Sequence, residues 1–313
     1  MSIKEILLKD LQDMLDIKEA LGYKKVTYEP YLRHFINFCG LQYMNSSSIT
    51  KQMVLDWIRI RPSESNNTRN RRIVALRHFT EYQASIGKQT FIPTSDYYLP
   101  SRPHKTYLFT DNDLTVLFNT IDRITPYWES PERELTVPVL FRMMYCCGMR
   151  PSEPLRLKHS DVSLDTGEIY IRQSKNSKDR HIYMSDDLLI LCRKYDKLMG
   201  NREYFFQRPK GGPYATHWMT NQFRICWRNS NLDCGSGQPR PYDLRHNFAT
   251  RTMIKWLEEK KDIMSLLSYL SAYMGHSEFS YTLYYIHLLP ERITNNSGIR
   301  WNDFSNIYPE VTK

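Results

Sequence analysis

The chain has 313 residues, carries 43 Lys and Arg against 34 Asp and Glu for a net charge of +9, and is 41% hydrophobic and 13% aromatic. That apolar content can offset the entropy of ordering, which excludes a disordered chain, and no run approaches the ~18 consecutive apolar residues of a membrane span. The first fifteen residues alternate charge with Leu, unlike a secretory leader, so a cytoplasmic protein of two domains is expected at this length.

Residues 3–20 place Ile3, Ile6, Leu7, Leu11, Met14 and Leu15 three and four apart, which predicts an amphipathic helix. A second helix is expected from Tyr28 to Cys39, with Tyr31, Phe35 and Phe38 on one face, and a third from Thr50 to Ile60, capped by Thr50. Asn67-Thr68 opens the strongest helix. Its Ile73, Leu76, Phe79 and Ile86 can face a core while Arg69, Arg72 and Arg77 project elsewhere, and Gly87 suits the stop. Periodicity then vanishes and Pro93, Pro100 and Pro103 accumulate. The expected division is a helical domain over 1–88, a linker over 89–105 and a second domain over 106–313.

Thr110 caps a new helix through Phe118. The segment EIYIRQSKNSKDRHIYM holds two alternating runs, Ile169–Ile171 and His181–Tyr183, and predicts a hairpin with Lys175 near its tip. Helices are expected again over His217–Arg228 and Tyr242–Tyr269. The six cysteines, at 39, 146, 147, 192, 226 and 234, show no metal or disulfide spacing and read as reduced thiols.

Residues 1–105 carry 16 basic against 10 acidic residues, and 106–313 carry 27 against 24. Between 59 and 77, six arginines (Arg59, Arg61, Arg69, Arg71, Arg72, Arg77) face only Glu64. Such a stripe suits a polyanion, although a solvated helix face has the same composition.

Taken singly, the polar residues of the second domain have ordinary explanations. Arg150 suits a helix end, Lys175 a solvated hairpin, His276 a cap, and Tyr285 is one of 22 tyrosines. In order, however, they form a pattern: Gly148-Met-Arg-Pro-Ser-Glu153, the Ser174–Arg180 hairpin, Asp243-Leu-Arg-His246, Met274-Gly-His-Ser277, and Tyr285 nine residues past His276. This set resembles the tyrosine recombinase, or phage integrase, family, specifically its Xer-like two-domain members. The segment TRNRRIVALRHF is similar to the family's amino-terminal core-binding domain.

The resemblance implies a mainly α fold with a small β-hairpin, in which a helical, SAM-like core-binding domain precedes an α-rich catalytic domain. It implies a site-specific recombinase of a phage or other mobile element, cleaving and rejoining DNA through a 3′-phosphotyrosyl intermediate. The catalytic residues would be Arg150, Lys175, Tyr242, Arg245, His276 and Tyr285, with Glu153 orienting Arg150 and Arg69, Arg71, Arg72 and Arg77 on DNA. Two arginines suit a phosphodiester because bidentate donors meet the charge on its non-bridging oxygens without a metal. A tyrosine nucleophile conserves the broken bond's energy. Lys175 would protonate the leaving 5′-oxygen and His276 would donate to a non-bridging oxygen.

The partner would be a double-stranded recombination site with inverted half-sites, bound by a tetramer that is a monomer or dimer when free; no cofactor, metal or membrane is expected. No arm-site domain is expected ahead of the core-binding domain.

Three departures stand out. Tyr242 occupies the place of the family's usual His, with adjacent His246 a candidate substitute. The run from Arg245 to His276 is long, around LEEKKDIMSLLSYL. Tyr281 and Tyr284 compete with Tyr285, as Lys178 does with Lys175. Ile299, Trp301, Phe304 and Ile307 in the tail suit docking on a neighbouring protomer or on their own core. The rival reading is a non-catalytic DNA-binding protein on the same fold; a metal-dependent nuclease would need a carboxylate cluster that the sequence lacks.

Overall fold

The computed structural model describes residues 2–22, 28–100, 105–172, 179–233 and 237–289. Lys175 and Lys178, Cys234 and the four apolar tail residues therefore lie outside the described residues. The chain divides into two compact units, Met1–His104 and Lys105–Lys313.

The first unit is helical: α1 (Ile3–Ala20), α2 (Glu29–Gln42), α3 (Lys51–Trp57) and α4 (Asn66–Ser85). Ser2 and Glu5 close a reciprocal cap on α1, and Thr50 caps α3 as expected. Leu7, Leu11, Phe35, Trp57, Leu76 and Phe79 share one core. Within it, the buried Asp10 carboxylate accepts from Gln83 Nε2 at 2.9 Å and Lys88 Nζ at 2.6 Å, fastening α1 to the end of α4.

The described part of the expected linker, residues 89–100, is held to this unit. Phe91 N–H donates to Ile49 O, and the Asn70 amide exchanges two hydrogen bonds with the Leu99 backbone. Phe91, Tyr97 and Tyr98 pack on the core.

Two expectations for α4 fail. Ile86 is 46% exposed, because it lies past the last turn of α4, just before Gly87 turns the chain at φ +78°. Arg69 and Arg72 point inward: they are 9% and 3% exposed. The seven-residue α3 explains why, since its last carbonyls have no intrahelical donors. Arg69 Nε donates to Ile58 O at 2.7 Å, and Arg72 donates to Trp57 O and Arg59 O. A two-pronged pair with Glu64, at 2.7 and 2.6 Å, completes the Arg72 shell. These two guanidiniums, expected on DNA, are thus engaged inside the domain, which corrects the expectation that they project away from the core.

The second unit runs α5 (Asp111–Asp122), α6 (Arg133–Cys147), α7 (Ser152–Arg156), β1 (Glu168–Ile171), β2 (Arg180–Tyr183), α8 (Asp186–Met199), α9 (Thr216–Asn229), α10 (Pro241–Glu258), α11 (Ile263–Met274) and α12 (Ser280–Leu283). Val137, Leu140, Phe141, Met143, Met144 and Cys147 bury α6 at the centre, with α5, α8 and α10 against it. The antiparallel hairpin pairs Ile169 with Ile182 and Ile171 with Arg180, so Arg180 shares the buried face of the three isoleucines.

The helix expected over Tyr242–Tyr269 is two. Lys260, at φ +55°, breaks the chain after α10, and Asp262 caps α11 by accepting from Met264 N–H. Cys39, Cys147, Cys192 and Cys226 are buried free thiols, and the Cys146 thiol is free and exposed.

Candidate active site

Two helix ends build the site. Both α6 and α11 stop at glycines in the left-handed region, Gly148 at φ +59° and Gly275 at φ +64°, a conformation other L-residues rarely adopt. A Cβ at Gly148 would overlap the Phe248 ring, and one at Gly275 would crowd Arg180. The carbonyls left unpaired at these ends converge on three arginines.

Arg245 on α10 is 0% exposed. It donates through Nη1 to Gly148 O and through Nη2 to Met274 O at 2.7 Å, so one side chain ties the ends of α6 and α11 together. Its Nε has no hydrogen-bond partner among the described residues. Arg150, two residues beyond Gly148, donates to Gly275 O and to Glu153 Oε1 at 3.0 Å.

Glu153 does more than orient Arg150. It also takes both Nη atoms of Arg180, each at 2.8 Å, while Arg180 Nε donates to Tyr273 O. Burial alone would raise the Glu153 carboxyl, but the Arg180 hydrogen bonds and the charges of Arg180 and Arg245 hold it below the usual carboxylate range. Arg180 therefore fixes the end of the hairpin strand to the Arg150 segment. Sequence reasoning missed it, although the strand's alternation puts it on the same face as Ile182.

His276 follows Gly275 immediately. Its Nε2 lies 3.1 Å from Arg245 Nη2 and its Nδ1 2.7 Å from Thr282 Oγ1. Burial first, then the charges of Arg245, Arg150, Arg180 and His246, push its pKa down to about 3, so the free site holds a neutral imidazole.

Tyr285 is 2% exposed and stacks near-parallel on His276, with centroids 5.9 Å apart and planes at 24°. Burial pushes its phenol up to about 12, and the Arg245 charge and hydrogen bond work in the opposite direction. Leu283, Ile286 and Leu289 join the apolar cluster of Met253, Leu267 and Leu270, which anchors the Tyr285 segment on α10 and α11 of its own chain. The competing tyrosines point outward: Tyr281 is 44% and Tyr284 43% exposed, and Tyr284 Oη bonds Thr106 Oγ1.

Tyr242 stands one turn before Arg245 on α10. Its ring lies 4.9 Å from that of His246, which in turn lies 5.5 Å from Tyr285. Asn247 sets the rotation of α10 by accepting from Phe109 N–H and donating to Tyr107 O. Beside His276 a groove of about 420 Å³ opens towards Asp179, where the hairpin tip begins. The described residues contain no group of three or more His, Cys, Asp or Glu side chains able to hold a metal, and no described helix is long and apolar enough to cross a membrane.

The second unit thus gathers Arg150, Arg245, His276 and Tyr285 from four separate segments, and leaves Arg69, Arg71, Arg72 and Arg77 in the first. Residues 110–292 match the phage integrase family model. The chain belongs to that family, the tyrosine recombinases, whose members carry out site-specific recombination. It is 29% identical over 284 residues to a putative integrase/recombinase, y4rE, of Sinorhizobium fredii, covering 87% of this chain and 88% of that one. It is 25% identical over 296 residues to tyrosine recombinase XerD of Rickettsia conorii, covering 88% and 92%. Among solved structures, the site-specific recombinase XerH bound to its difH substrate, in a pre-cleavage complex, matches with a TM-score of 0.63 at 19% identity over 92% of this chain and 83% of that one. The mainly α fold with one small hairpin is that of the family's catalytic domains.

Proposed function

We propose that this chain is an active site-specific DNA recombinase of a mobile element, with Tyr285 as nucleophile. The observation that carries the reading is the meeting of Tyr285 with Arg245 and His276: of three nearby tyrosines, the buried one stacks on the histidine and feels the arginine. A phosphodiester seated here would take donors from Arg150, Arg245 and His276 on its non-bridging oxygens, where charge gathers in the transition state. The Tyr285 oxygen forms the new bond to phosphorus, the bond to the 5′-oxygen breaks, and Lys175 gives that oxygen a proton while the phenol's own proton passes to solvent water. The product is a 3′-phosphotyrosyl link and a free 5′-hydroxyl. Rejoining is the reverse attack, so no cofactor is needed.

In the free site the phenol is held protonated and the arginines bond backbone carbonyls. A bound phosphate supplies competing acceptors for Arg150 and Arg245, and the Arg245 Nε becomes a donor aimed at charge. Tyr242 takes the family's His place as a neutral hydrogen-bonding group. The first unit would hold the duplex through its exposed Arg71 and partly exposed Arg77, with strand exchange by a tetramer on two synapsed sites in the cytoplasm.

The test is a nicked suicide site taken from the gene's own genomic flanks, incubated with protein in EDTA. The reading requires a covalent protein–DNA adduct that Tyr285→Phe removes and Tyr284→Phe retains. Specific binding without adduct would instead identify a non-catalytic DNA-binding protein, and an adduct lost only in Tyr284→Phe would reassign the nucleophile.

A further inference from the structure

His276 has both ring nitrogens engaged, and the two partners differ in kind. The Arg245 guanidinium has only donors, so His276 Nε2, 3.1 Å away, must accept. The ring proton of the neutral imidazole then sits on Nδ1 and is donated to Thr282 Oγ1 at 2.7 Å. This tautomer is the wrong one for the chemistry proposed above, because an Nε2 lone pair repels a phosphate oxygen.

Thr282 is suited to resolve that conflict. It is 0% exposed and lies one helical turn before Tyr285, whose N–H donates to Thr282 O at 3.1 Å. Unlike a carboxylate or a backbone carbonyl, a hydroxyl both donates and accepts. It can accept from Nδ1–H in the free site, then rotate and donate to a bare Nδ1 once the ring has released that proton to water and taken one from water at Nε2, staying neutral throughout. Each state keeps a buried polar atom partnered, where losing a partner costs about 1–3 kcal/mol.

We propose that Thr282 is a positioning residue for strand cleavage: its hydroxyl holds the His276 ring against Tyr285 and lets Nε2 change from acceptor to donor when the scissile phosphate displaces it from Arg245. The inference rests on the recombinase reading of the same site. It also explains why the nucleophile and the histidine act together, since one short segment, α12 and the turn after it, carries both Tyr285 and the group that sets the histidine's proton.

Three measurements test it. In the free wild-type protein, nitrogen-15 NMR of His276 is expected to show a protonated Nδ1 and a bare Nε2; the opposite tautomer overturns the inference whatever the protein's activity. On the suicide site, Thr282→Val, which keeps shape and removes the hydroxyl, is expected to bind DNA with unchanged affinity and form adduct about tenfold or more slowly. Thr282→Ser should restore the rate to within about twofold, which a role limited to packing the methyl group would not. A Thr282→Val rate equal to wild type overturns the inference and leaves the recombinase reading intact. A wild-type protein that binds the site but forms no adduct removes both.

Discussion

Both units bury arginines against helix C-terminal carbonyls, and the difference lies in what is left over. In the first unit, Arg72 meets two carbonyls and both oxygens of Glu64, and Arg69 meets Ile58 O and Tyr97 O. Glu64 neutralises the Arg72 guanidinium, and both arginines serve as internal braces. In the second, Glu153 is shared between Arg150 and Arg180, while Arg245 has carbonyls, a neutral imidazole and an Nε with no partner among the described residues. Cationic charge there exceeds its local compensation. A cluster of arginines in a sequence therefore identifies an anion site only where the fold withholds carboxylates from it.

The sharpest way to break this comparison is to truncate a brace. Arg72→Met leaves Glu64 buried without its partner and should destabilise the first unit by about 3–5 kcal/mol, read by urea unfolding, while Arg72→Met with Glu64→Leu should recover most of that loss. The folded fraction should still cleave at the wild-type rate per bound complex. Arg245→Lys should do the reverse. A point charge cannot reproduce the planar fork, and the loss of one oriented donor should slow adduct formation about 10²–10³-fold in single-turnover assays, with DNA binding largely kept.

A smaller effect sharpens the electrostatic side. The unfolded chain binds a proton at His276 near 6.5, whereas the folded site does so only near 3. Between those values the unfolded state holds more protons, so this contribution to stability is complete above about pH 6.5 and is lost progressively as pH falls towards 3. In His276→Gln, urea melts from pH 7 to pH 4 should show a shallower decline than in wild type. The smallest effect concerns the outward cations of α4. Arg71→Ala or Arg77→Ala should each lower the slope of log affinity against log salt by up to about 0.9 for every phosphate contact removed, and neither should change the cleavage rate of bound DNA.

Local patterning made most of the fold readable. The first five helices follow apolar spacing and the Thr50 and Thr110 caps, and the hairpin follows its alternation. What failed depended on contacts far apart in sequence. The periodicity of α4 could not reveal that Arg69 and Arg72 face the open end of a short α3, because only the packing of α3 on α4 creates that demand. The region around 259–262 lacks a glycine or proline, so the left-handed Lys260 that splits α10 from α11 carried no punctuation. In the site, motif order picked out Arg150, Arg245, His276 and Tyr285. It did not find Arg180, Thr282 or Asn247, whose roles exist only as hydrogen bonds to residues 6–140 positions away.

The most direct test maps the covalent bond itself. Wild-type protein trapped on a suicide site is digested with nuclease and protease, and the nucleotide-bearing peptide is sequenced by mass spectrometry. The account predicts a 3′-nucleotide phosphate on Tyr285, in the peptide that contains Thr282. The phosphate on Tyr281 or Tyr284, or trapped complexes that hold no covalent peptide, would contradict it.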